Sequence, residues 1–107
     1  MIKTLKIDGK DIEFKSTGGT MMRYRNQFNS EFLTDLSALS KVTKTDFSPF
    51  TSKSIEQIIW VLAKTADSSI PDPQTWYDSF DEFPIYEVWS QLQDMITASF
   101  KTLRKNA

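Results

Sequence analysis

Residues Ile55 to Ala66 constrain this chain more than any other segment. Ile55, Ile58, Ile59, Leu62, Ala63 and Ala66 recur at helical spacing, and Trp60 and Val61 add a second apolar side. A helix apolar nearly all round has no face left for water and belongs at the centre of a fold, wrapped by other elements. Its apolar run, Ile58 to Ala63, is far too short to span a bilayer. Ser54-Ile55-Glu56-Gln57 reads as a capping box, so the helix is expected over about 54–66.

The wrapping elements can be read on both sides. Leu5 and Ile7 alternate with Thr4 and Lys6, and Ile12 and Phe14 alternate with Glu13 and Lys15. Asp8-Gly9 between them is a short-range turn signal, so residues 2–15 form a β-hairpin. Pairing Ile7 with Lys10 or with Ile12 leaves all four apolar residues on one face, which helices must cover. After Ser16-Thr17-Gly18-Gly19, where the Gly pair lets the backbone turn sharply, Thr20 caps a helix over about 20–39. Its stripe is Met21, Tyr24, Phe28, Phe32, Leu33, Leu36 and Leu39. Residues 40–53 are polar and read as a loop, anchored by Phe47 or Phe50. Asp72-Pro73 caps a short helix over about 73–80 that presents Trp76, Tyr77 and Phe80. Pro84 opens a last helix over about 84–103, with Ile85, Val88, Trp89, Leu92, Ile96, Phe100 and Leu103 in register. Lys101, Arg104 and Lys105 stand at its C-terminus, where the dipole favours cations. The expected class is mainly α, or α+β: one domain over residues 1–107, a hairpin packed on a bundle of about four helices.

Several chemistries are excluded by residue type. There is no Cys and no His among the 107 residues, which removes thiol nucleophiles, disulfides, imidazole bases and the usual zinc sites. A reducing compartment is the expectation from the same absence, and Met1 to Lys6 has no signal-peptide pattern. The net charge of −1 gives no pull towards nucleic acid or anionic membrane. Asp78, Asp81 and Glu82, near Asp72, form the densest acidic cluster. It lacks the ligand spacing of a Ca²⁺ loop and reads as solvated or capping carboxylates. Arg23-Tyr24-Arg25 near a helix start could hold a phosphate or carboxylate. Without a wider basic patch, it reads instead as one solvated and one snorkelling Arg. Ser16 to Thr20 lies between a strand and a helix but lacks the P-loop pattern. No cofactor, metal or catalytic residue is expected, and an enzyme is the least favoured class.

What remains is binding. Trp60 belongs to the core. Trp76 and Tyr77 are adjacent, so one helix cannot bury both against one neighbour, and one of them is a candidate for a partner surface. With the amphipathic last helix, the candidate partner-binding residues are Trp76, Tyr77, Tyr86, Trp89 and Phe100.

Taken in order, these segments resemble a known family. Gly19-Thr20-Met21-Met22-Arg23-Tyr24-Arg25-Asn26-Gln27-Phe28, followed by Leu33-Thr34-Asp35-Leu36, is similar to the first helix of tail assembly chaperones from long-tailed phages and prophages of Gram-positive bacteria. Ile7-Asp8-Gly9-Lys10 resembles that family's hairpin, and Ile58 to Asp67 its buried central helix. Trp76 to Val88 is similar to its acidic and aromatic segment before the last helix. The resemblance implies a non-enzymatic protein that binds the tape measure protein and helps recruit tail tube protein subunits. It implies action in the host bacterial cytoplasm and absence from the mature virion. Many relatives also exist as a longer frameshifted form, a further partner; this chain corresponds to the short form, and a homo-oligomer is compatible with it. The alternatives are a small structural connector or completion protein retained in the virion and, more weakly, a nucleic-acid-binding regulator.

Overall fold

The structure is a computed structural model and describes residues 1–39 and 49–105, with side chains described over 1–39 and 51–98. Its elements are strands β1 (Ile2–Ile7) and β2 (Lys10–Lys15), then helices α1 (Thr20–Phe28), α2 (Phe32–Ala38), α3 (Pro49–Ala66), α4 (Pro73–Asp78) and α5 (Ile85–Lys105). It is an α+β fold in which a hairpin packs on helices, as expected.

The hairpin follows from its turn. Asp8 and Gly9 both take positive φ, 53° and 77°, the combination that matches the twist of flanking strands. The register pairs Ile7 with Lys10, Leu5 with Ile12 and Lys3 with Phe14. Met1 and Ser16 then exchange both backbone bonds at 2.9 and 3.0 Å, extending the ladder by one pair. Leu5, Ile7 and Phe14 are buried and Ile12 is half-buried on the covered face. Lys3 and Lys10 share that face at its ends. Each reaches a helix carbonyl at 2.9 Å, Lys3 at Gln91 and Lys10 at Ser79. The Lys10 ammonium also sits 4.9 Å from the Phe80 ring centroid, a cation–π contact.

Helix α3 is the centre. Ile55, Ile58, Ile59, Trp60, Val61, Leu62 and Ala63 are all buried, none more than 2% exposed. The hairpin covers it through β2, α1 and α2 pack on a second side, and α5 lies on another. Trp60 keeps its polar edge satisfied by donating Nε1–H to the Pro71 carbonyl at 2.9 Å. Where α3 ends, Lys64 donates to the carbonyls of Ser68 and Ile70.

Three boundaries differ from the sequence expectation. The helix expected over 20–39 is two helices, α1 and α2, broken at Asn29, which takes the left-handed conformation (φ 53°, ψ 41°) as the C-cap of α1. Asn tolerates that conformation better than other residues with a Cβ. Phe32 and Leu39 are buried, while Leu33, expected on the buried stripe, is 52% exposed. Gly19, not Thr20, is the N-cap of α1. Thr20 is the first helical residue and buried, and its hydroxyl accepts the Thr17 N–H at 2.9 Å. The capping box at Ser54 does not form, because α3 already begins at Pro49, where Pro suits a first turn. Ser54 is buried within the helix. The loop expected over 40–53 is therefore helical from 49 onwards. Residues 40–48, and with them Phe47, lie outside the described residues, as does the Phe50 side chain.

The Gly pair is also not needed for a sharp turn. Neither Gly18 nor Gly19 takes positive φ, and an added Cβ would meet nothing at Gly18 and only the Thr17 hydroxyl oxygen, at 3.7 Å, at Gly19. By contrast, Asp72 caps α4 as expected, its carboxylate accepting the Thr75 N–H at 3.1 Å and hydroxyl at 2.7 Å.

The corner at Asn29 gives a direct test. Asn29→Ala should cost about 1 kcal/mol, because Ala pays the left-handed penalty without local hydrogen bonding. Asn29→Gly should be close to neutral. Urea unfolding of the two variants checks this ordering.

Candidate functional site

Three side chains from separate elements meet beneath the α1–α2 corner. The Tyr24 hydroxyl lies 2.7 Å from the Asp35 carboxylate and 2.9 Å from the Gln57 side-chain oxygen. Ser30 donates to the same Asp35 oxygen at 2.7 Å. Tyr24 and Asp35 are buried, so these bonds replace water for both groups. Burial, then the hydrogen bond to Asp35, then its negative charge push the Tyr24 hydroxyl far above its usual range. On the outside of the corner, Arg25 grips Glu31 with two bonds of 2.8 and 3.0 Å. That pair is solvent-exposed. The hydrogen bond from Arg25 holds the Glu31 carboxyl below its ordinary range. Arg25 is thus neither snorkelling nor free to bind phosphate. Arg23 is exposed and lines a shallow groove with Met22, Asn26 and Gln27.

The second constellation is aromatic. Trp76, Tyr77, Phe80 and Phe83 form a closed set of edge-to-face pairs, with centroids 4.9 to 5.7 Å apart. Adjacent residues on a helix diverge, and this set resolves the competition between Trp76 and Tyr77. Trp76 turns into the core at 5% exposure. Tyr77 is half-buried and donates its hydroxyl to the Glu56 carbonyl at 2.7 Å, tying α4 to α3. Burial first, and the nearby Glu56 charge second, raise the Tyr77 hydroxyl well above its usual range.

Beside Tyr77 a cleft of about 260 Å³ opens between α1, α3 and α4, lined by Phe28, Lys53, Glu56, Gln57, Pro73, Gln74 and Tyr77. Its wall is apolar at Phe28, Pro73 and Tyr77, and its rim is polar, with Lys53, Glu56 and Gln74 exposed. The Gln57 that lines the cleft is the one bonded to Tyr24, so the cleft wall and the buried network share a residue.

The sequence candidates for partner binding are therefore not brought together. Only Tyr77 lines the cleft. Trp76 and Trp89 are buried at 5% and 2%, which corrects their assignment as surface contacts: both belong to the hydrophobic core. Tyr86 is half-buried, and the Phe100 side chain lies outside those described. Phe28, Lys53 and Gln74 were not candidates. No short-range signal marks them, since the cleft exists only where three helices converge. The Tyr24–Asp35 pair did leave a trace, an acid within the apolar arc Phe32, Leu36 and Leu39.

The acidic cluster disperses in space. Asp72 caps α4, Asp78 accepts from Gln74 at 3.2 Å, and the Asp81 N–H donates to Asp8 of the hairpin turn at 2.9 Å. Among the described residues no group of three His, Cys, Asp or Glu could hold a metal ion, and no buried side-chain nitrogen or oxygen lacks a partner. No helix among them is long and apolar enough to cross a membrane. Comparison with protein-family models, curated proteins and solved structures finds no match for this chain.

Two outcomes follow. Tyr24→Phe should cost about 1–3 kcal/mol in urea unfolding, since it removes a donor from a buried carboxylate. The pH profile should fall at both ends. Glu31 and Asp72 have folded pKa values below their ordinary 4.5 and 3.8, so stability present above that range is lost as pH drops through it. Tyr24 and Tyr77 have folded pKa values above their ordinary 10.0. They contribute stability that is whole below pH 10.0 and declines as pH rises beyond it. Thermal melts across pH, with tyrosinate absorbance followed on the alkaline side, check both arms.

Proposed function

We propose that this chain is a non-enzymatic phage tail assembly chaperone that binds the tape measure protein and helps recruit tail tube subunits. One observation carries the reading. Segments resembling that family occur in its order along nearly the whole chain, from the Ile7-Asp8-Gly9-Lys10 turn to Trp76–Val88. The architecture is compatible with it, a hairpin ahead of helices with the central helix buried.

The chemistry of the cleft is that of a holding surface. A client that is long, helical and amphipathic needs apolar walls to receive side chains and a polar rim to keep the site wet when empty. Phe28, Pro73 and Tyr77 supply the first, and Lys53, Glu56 and Gln74 the second. Two polar groups of the cleft hold elements together, Tyr77 on the Glu56 carbonyl and Gln57 on Tyr24, and Gln74 bonds Asp78 within α4. In this reading the cleft receives the client, and Trp76 backs Tyr77 from the core.

Co-expression with a tape measure protein tests the assignment. The wild-type chain should co-purify with that protein, and a rim variant, Lys53→Glu with Gln74→Arg, should lose at least about tenfold in affinity at an unchanged melting temperature. Failure of the wild type to bind overturns the chaperone reading. Equal binding by the rim variant overturns only the placement in the cleft. Mass spectrometry of purified particles separates the chaperone, which should be absent, from a connector, which should be present.

A further inference from the structure

A two-stranded sheet has two open edges, and the register fixes which groups lie on them. A two-residue turn closes on a hydrogen-bonded pair, here Ile7 and Lys10. The parity holds to the far end, where Met1 and Ser16 also exchange both bonds. Lys3, Leu5 and Ile7 therefore spend their backbone groups inside the hairpin. Ile2, Thr4 and Lys6 aim theirs outward from β1, and Asp11, Glu13 and Lys15 aim theirs outward from β2. Among the described residues, none bonds to those outward groups.

The two edges are not alike. Free edges are blunted by charge, and β2 carries Asp11 and Glu13, both exposed, along its edge. The β1 edge is uncharged at its centre, Thr4, and runs from Ile2, an exposed apolar side chain at 58%, to an exposed Lys6 at its other end. We propose that β1 pairs antiparallel with β1 of a second copy of this chain, about a two-fold axis at Thr4, giving a four-stranded sheet in the order β2-β1-β1-β2.

Self-complementarity selects this occupant. On the solvent face Thr4 meets Thr4, a favourable cross-strand pair, and Ile2 meets the methylenes of Lys6 at both ends. No like charges face one another on that side. The same operation on β2 would set Glu13 against Glu13, which is destabilising. Pairing β1 with β2 of another copy would leave an edge free at each end and would not close. Alternation also keeps Leu5 and Ile7 of both copies on the covered side. Lys3 reaches Gln91 from that side, so this part of α5 lies on the covered face of the sheet. An edge this short makes a small contact, so the dimer is weak and fills only as concentration rises.

Analytical ultracentrifugation of the full chain, from about 1 µM to 1 mM, tests the pairing. The wild type should shift from monomer to dimer across that range. Thr4→Lys and Thr4→Glu each place like charges across the axis and should stay monomeric, with circular dichroism and melting unchanged because Thr4 is exposed. Mixing the two variants should restore a dimer, since Lys then faces Glu. Glu13→Lys, on the other edge, should dimerise as the wild type does. A wild type monomeric throughout, or single variants that dimerise like it, would overturn the proposal.

Discussion

Everything in this fold answers to the burial of α3. A helix with Ile55, Ile58, Ile59, Trp60, Val61, Leu62 and Ala63 all removed from water cannot sit at a surface. It must be enclosed, and a chain of 107 residues has little material to enclose it with. The hairpin supplies one wall, the bent α1–α2 pair another, and α4 with α5 the rest. Each wall contributes large side chains: Phe14 from the sheet, Tyr24 and Phe32 from the corner, Trp76 from α4, Trp89 and Leu92 from α5. Truncating a residue such as Ile58 would open a cavity at the centre, a loss of about 2–5 kcal/mol.

The α1–α2 wall is bent, and polar groups are buried beneath the bend. Tyr24 on α1 and Leu39 at the end of α2 are both fully buried. The chain turns at Asn29, and Asp35 on α2 is buried beneath the corner. A buried acid without partners is costly, and Tyr24, Ser30 and Gln57 all converge on it or on its partner. Arg25 and Glu31 span the same corner from outside. Gln57 then links the corner to α3, so the polar network and the apolar core hold the same elements in place.

That arrangement leaves a cleft and two free strand edges on the surface. The cleft beside Tyr77 lies where α1, α3 and α4 converge, and its wall is made of side chains already fixed by the corner and by the aromatic set around Trp76. The free strand edges are on a different part of the molecule, along the hairpin. A client in the cleft and a second copy at β1 would therefore engage different elements.

The sequence by itself determined the local elements whose causes are local. Asp8-Gly9 dictated the hairpin, Asp72-Pro73 the start of α4, and the apolar run from Ile55 the central helix, because turn φ values, caps and periodicity act within a few residues. Tertiary structure decided what depends on neighbours distant in the chain. The periodicity from Met21 to Leu39 continues across Asn29, so nothing in the pattern marked the break; packing of two short helices against α3 chose it. Ser54 has the residues of a capping box, yet a helix already begun at Pro49 left it no terminus to cap. Trp76 and Tyr77 were equivalent candidates in the sequence. Which of them is buried was settled by the Phe80 and Phe83 rings and by the Glu56 carbonyl, groups that meet only once the chain has folded.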